Sequence, residues 1–170
     1  MDNLKKARLI FYAVSALALL QLAAYYPFLP EKVASHFNFA GKADGWWDKE
    51  YFAVFWAMLL AFLVGTFALT EYLVSKAPDS VINLPNKDWW LAPERRAETI
   101  KSVVAYLYQM AAVTVLFLGI MIYLTFRASV DGSGNLGTLF IPLLGLYLAY
   151  CAIYVIMLYR RFSRIPGGGK

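Results

Sequence analysis

The sequence predicts an all-α integral membrane bundle of four transmembrane helices, and three observations predict it. Four apolar runs, residues 7–26, 51–74, 102–126 and 139–159, are each long enough at about 1.5 Å per residue to cross roughly 30 Å of hydrocarbon. The composition is 61% hydrophobic and 16% charged, well above the roughly 45–50% apolar content of soluble domains. The basic residues that produce a net charge of +5 sit at the margins of these runs, where membrane topology places them, so the charge is not read as a nucleic-acid surface. The 170 residues are read as a single domain, 1–170.

The first run follows Lys5, Lys6 and Arg8 and is read as a retained helix rather than a signal segment. It exceeds a typical signal core, and no small-x-small cleavage site precedes Pro27. Residues 29–49, LPEKVASHFNFAGKADGWWDK, then form a polar, turn-rich loop far longer than two helices need to be joined. In the second run Ala57, Ala61 and Gly65 recur every four residues, a small-residue face expected to pack inside the bundle. Glu71, near the end of that run and one turn from Lys76, is expected at the interface.

Residues 75–101 carry a second polar stretch, NLPNKDWWLAPERR, from Asn83 to Arg96. APERRAETIK reads as a helix start with Pro93 in its first turn. A short loop with Asp-Gly and Ser-Gly turn signals separates the third and fourth runs. Tyr147, Tyr150 and Tyr154 share one face of the fourth run, so their hydroxyls are expected to find partners in the bundle. Arg160, Arg161 and Arg164 close that run, and the glycine tail 167–169 is expected to lack fixed structure. Placing both termini in the cytoplasm puts twelve of the sixteen Lys and Arg residues inside, as the positive-inside rule requires. The loop holding His36 is then extracytoplasmic.

The candidate binding residues of that loop are His36, Asn38, Gly41, Asp44, Gly45 and Trp46. His36 is the single histidine, a side chain suited to proton-responsive binding or to ordering its own loop. The nearby carboxylates offer it no set of nitrogen or sulfur ligands, so no metal and no cofactor is expected. Asn38, Gly41, Asp44 and Gly45 are turn chemistry that would also serve as a cradle of backbone amides. Trp46 and Trp47 are interfacial anchors able to close an apolar pocket. On the inner side, Lys87, Trp89, Trp90, Arg95 and Arg96 form a basic aromatic cluster for anionic lipid or partner contact. Cys151 lies in the fourth run with no second cysteine to pair with. No nucleophile with a neighbouring base and no phosphate-binding glycine loop is present, so catalysis is not expected.

The pattern Leu-Pro-x-x-Val-x-x-His-Phe-Asn-x-x-Gly-x-x-Asp-Gly-Trp, from Leu29 to Trp46 and followed by Lys49, resembles a bacterial membrane domain of unknown function. That domain is shared with the immunity proteins that protect Bacillus cells against the sporulation-delaying toxin. The Asn83–Arg96 stretch is similar to a second segment of one branch of that family. The resemblance implies a multi-spanning helical protein of the bacterial plasma membrane, with His36, Asn38, Gly41 and Asp44 at the matching positions. The immunity proteins are generally longer, with further spanning helices.

Three functions are compatible with these features. The first is a non-enzymatic protein whose outer loop recognises a peptide toxin or a partner membrane protein. The second is a lipid-binding enzyme or carrier, and the third is an accessory subunit of a membrane complex docked through the Gly65 face.

Overall fold

The computed structural model describes residues 2–166. Helix α1 (Asn3–Tyr25) leads through a short 3₁₀ turn to a hairpin of β1 (Lys32–Phe37) and β2 (Ala43–Asp48). Helix α2 (Lys49–Lys76), a second 3₁₀ turn (Asp79–Val81) and one turn of helix, α3 (Lys87–Trp90), follow. Helices α4 (Arg96–Val130) and α5 (Phe140–Ser163) complete the described chain. The helices α1, α2, α4 and α5 are long and apolar enough to cross a membrane, as a multi-pass protein requires. The glycine tail lies outside the described residues.

Two expectations need correcting. The structure is mostly helical rather than all-α, because the first connecting loop folds into an antiparallel hairpin. Every spanning helix also begins or ends beyond its apolar run, since backbone hydrogen bonding continues into polar flanks once a helix is under way. At about 1.5 Å per residue α4 is roughly 52 Å long and must project past the hydrocarbon. Its start falls at Arg96, so Pro93 stands in the preceding turn rather than in the first helical turn.

The core is the seam between α1 and α4. On α1 the buried residues are Leu4, Ala7, Phe11, Ser15, Ala18 and Leu22, alternating three and four apart as one stripe. Ile100, Val104, Tyr108, Ala111, Val115, Gly119 and Ile122 repeat that spacing on α4. Phe11 packs on Tyr108 at 5.4 Å between ring centres, and further along Gln21 Nε2 donates to the Gly119 carbonyl at 3.0 Å. The two helices therefore run parallel. Lipid offers little drive for helices to associate, so small residues that admit close approach, and a hydrogen bond of about 0.6 kcal/mol, matter more here than apolar area.

Helix α2 returns antiparallel, burying Phe52, Trp56 and Leu60. Gly65 has open space beside it and Ala61 is exposed, so the small-residue face turns away from the bundle there, while Ala57 packs against the core. The larger Phe52 and Trp56 fill the inward face instead. Helix α5 runs antiparallel to α4, with the Tyr154 hydroxyl 2.7 Å from Gln109 Oε1 and the Tyr147 hydroxyl 3.0 Å from Thr114 Oγ1. The hairpin and the 131–139 turn therefore lie at one end of the bundle. The start of α1, the 77–95 segment and the end of α5 lie at the other.

Glu71 is not a free interfacial carboxylate. It pairs with Arg8 of α1, and its second oxygen accepts from the Tyr108 hydroxyl at 2.9 Å. With α2 antiparallel to α1, a residue near the end of the one falls beside a residue near the start of the other.

Candidate functional site

The hairpin gathers all six outer candidate residues, and their parts differ. Asn38 builds the turn: its Oδ1 accepts from the amides of Ala40 at 2.9 Å and Lys42 at 3.2 Å. Gly41 follows with φ of +74°, a left-handed conformation that glycine adopts without Cβ strain. The Gly41 carbonyl accepts from the Leu136 amide at 2.9 Å. The next contact, from the Ala43 amide to the Gly134 carbonyl, is 2.8 Å, and between them Lys42 bridges Asn135. The 131–139 segment is thus joined to the start of β2 by a single antiparallel bridge. On the other side, the Ala34 amide donates to Ser129 Oγ of α4 at 3.1 Å.

Gly45 faces His36 across the ladder, between two irregularities, one where β1 has the extra residue Ser35 and one where β2 has the extra residue Asp44. A Cβ on Gly45 would stand 3.0 Å from the His36 Cβ, a tight approach that glycine makes without displacing its neighbour. Closure brings His36 Nδ1 onto Asp44 Oδ1, an ion-paired hydrogen bond when the imidazole is charged. Both side chains stay open to solvent, His36 at 73% exposure. Beside them Lys32 pairs with Asp48 at 2.7 Å, and this hydrogen bond and charge hold the Lys32 ammonium above its usual pKa. No group of three His, Cys, Asp or Glu side chains converges among the described residues.

The tryptophans divide by side. Trp46 lies against Gly134, where a Cβ would meet its ring at 3.5 Å. Trp47 packs edge-on to Phe55 of α2 at 5.2 Å. Roughly half of each indole stays exposed, and Trp46, Trp47, Tyr51 and Phe55 line a shallow groove of about 390 Å³. The hairpin end of the bundle therefore presents an exposed His–Asp pair and exposed indoles on a hairpin tied to α4 and to the 131–139 segment.

The inner cluster is committed mainly to its own structure. Arg96 bonds Asp79 at 2.8 Å and the Ala77 carbonyl at 2.5 Å, fixing the end of α2 to the start of α4. Arg95 stacks over Trp89 at 4.2 Å, donates to the Trp89 carbonyl at 2.7 Å and pairs with Glu94. Lys87 Nζ reaches the Asp79 carbonyl at 3.4 Å. Trp90 Nε1 donates to the Phe162 carbonyl at 2.7 Å, joining this segment to the end of α5. Arg95 and Arg96 each commit part of their guanidinium to partners inside the chain.

Two structural partners escape the sequence reading. Asn86, at φ of +52°, gives Nδ2 to the Phe162 and Ser163 carbonyls at 3.2 and 2.9 Å. The Asn in the Leu-Pro-Asn turn was the available signal, since Asn tolerates this conformation and caps helix ends. The 133–136 segment is the second. Its turn signals were plain, but its pairing with a loop ninety residues away leaves no local mark.

Residues 13–62 match the sequence profile of a domain of unknown function, DUF1648. The matched stretch takes in most of α1, the whole hairpin and the first half of α2. No curated protein and no solved structure matches the chain.

Proposed function

We propose that this chain is a non-catalytic recognition protein of the bacterial plasma membrane, with both termini in the cytoplasm and the hairpin outside. Its outer face would bind a peptide toxin or a partner membrane protein, in the manner of the sporulation-delaying toxin immunity proteins. The observation that carries this reading is the way the hairpin is held. Its backbone is tied to α4 through Ser129 and to the 131–139 segment through Gly134 and Leu136. Its His36, Asp44, Trp46 and Trp47 side chains nevertheless stay exposed. A rigid platform with exposed indoles and a charged pair suits recognition, because little ordering entropy is lost when a partner docks. The basic residues at the opposite end of the bundle support the orientation.

The test is a His36→Ala/Asp44→Ala variant, assayed in cells for partner capture and for resistance to membrane-active peptide toxins. Loss of either at unchanged membrane abundance supports the reading, and retention of both overturns it.

A further inference from the structure

A different site lies at the opposite end of the bundle, where α5 leaves the membrane. An open groove of about 640 Å³ is lined by Arg160, Arg161 and Arg164, by Trp90 and Tyr106, and by Met157 and Ile165. No carboxylate lines it.

Arginines in the last turn of a helix usually have one of two jobs. They satisfy the orphan carbonyls, or they pair with acidic neighbours. Here the first is done in part by others, since Asn86 Nδ2 and Trp90 Nε1 already occupy the Phe162 and Ser163 carbonyls, the last two of α5. The second is absent as well: among the described residues, no ion pair or side-chain hydrogen bond involves Arg160, Arg161 or Arg164. Three guanidinium groups therefore surround one groove with their donors uncommitted. The helix terminus itself carries only about half a negative charge, which three cations outweigh.

We infer that this groove binds the phosphate of an anionic phospholipid. Guanidinium forks match phosphate oxygens two at a time, which ammonium groups do not. Met157 and Ile165 give an apolar wall continuous with the lipid-facing side of α5, where acyl chains would lie beside the bound head group. A soluble phosphate would use the arginines and leave that wall idle. The groove is lined by residues other than Lys87, Arg95 and Arg96, each of which has at least one donor held within the chain.

Topology alone would place basic residues here, but it treats Lys and Arg alike, and that equivalence separates the two accounts. The test is native mass spectrometry of the full chain in mild detergent, titrated with phosphatidylglycerol or with phosphatidylcholine of the same acyl chains. Inorganic phosphate is the competitor. The expected result is a phosphatidylglycerol adduct formed at least about tenfold more tightly than the phosphatidylcholine one and undisturbed by millimolar phosphate. The triple variant Arg160→Lys/Arg161→Lys/Arg164→Lys keeps the charge and is expected to lose most of that preference. Met157→Trp, which crowds the apolar wall of the groove and leaves every arginine in place, is expected to lower it too, and it decides the matter if the triple variant fails to fold. Equal binding of the two lipids, or full retention of the preference in Met157→Trp or in a folded triple variant, overturns the proposal. Displacement of the lipid by inorganic phosphate also overturns it, and assigns the arginines to a soluble phosphate instead.

Discussion

The amide of Ala43, at the start of β2, donates to the carbonyl of Gly134 at 2.8 Å, joining the first and last connections of the bundle. A two-stranded hairpin is marginal alone in water. Here it gains a third segment along the base of one strand and a side-chain anchor from Ser129 along the other. The hairpin end of the bundle is therefore one connected unit rather than two separate loops.

That junction predicts a crosslink. Lys42 and Asn135 face each other in an antiparallel bridge, a geometry whose Cα separation of about 4.5–5.5 Å falls within disulfide range. In a Cys151→Ser background, Lys42→Cys with Asn135→Cys is expected to oxidise in cells if this end faces the oxidising side of the membrane. Mobility on non-reducing gels after thiol blocking reads the outcome.

Gly41→Ala places a Cβ at φ of +74° on a buried residue whose carbonyl holds Leu136. The expected cost is about 1 kcal/mol or more, read as a lower midpoint for thermal unfolding in detergent. Gly65→Ala, in open space on α2, is expected to leave that midpoint unchanged or raised.

The contrast between Gly41 and Gly65 also shows what the sequence could and could not reveal. The four spanning helices were legible because apolar length and basic margins report directly on the bilayer. The hairpin was not, because Asn38, Gly41, Asp44 and Gly45 read as turn chemistry, and the register that pairs His36 with Gly45 depends on irregularities that no local pattern marks. The Ala57–Ala61–Gly65 row was legible as a face but not as to which way it points. Phe52 and Trp56 take the inward side. The Arg8–Glu71 pair was hidden for a related reason: only the antiparallel placement of α2 brings residues sixty-three apart together.

Arg8 and Glu71 are about one-third and one-quarter exposed, so each depends on the other without being fully desolvated. Arg8 Nε is buried with no partner of its own. Glu71→Leu alone is expected to cost about 1–3 kcal/mol by leaving Arg8 unpaired, whereas adding Arg8→Met recovers most of it. A double-mutant cycle on reversible unfolding in mixed micelles checks the coupling.

Acid should loosen the 131–139 segment. The Ser133 hydroxyl and amide, the amide at 2.8 Å, and then the Arg127 charge, hold the Asp131 carboxyl below its ordinary 3.8. A depressed carboxylate stabilises the fold above its ordinary value, and the contribution is lost as pH falls through the lower folded value. The Gly134 amide resonance of labelled protein is expected to follow that titration, and Asp131→Asn is expected to abolish the step.

Photo-crosslinking in intact cells reads whether the hairpin face recognises a partner. A benzoylphenylalanine at position 46, beside His36 and Asp44, is expected to give a discrete peptide or protein adduct. Adding His36→Ala/Asp44→Ala should remove that adduct, while the same probe at exposed Glu94, at the other end, should not form it. Adducts to lipid alone at position 46, or a protein adduct indifferent to the loss of His36 and Asp44, would contradict the account.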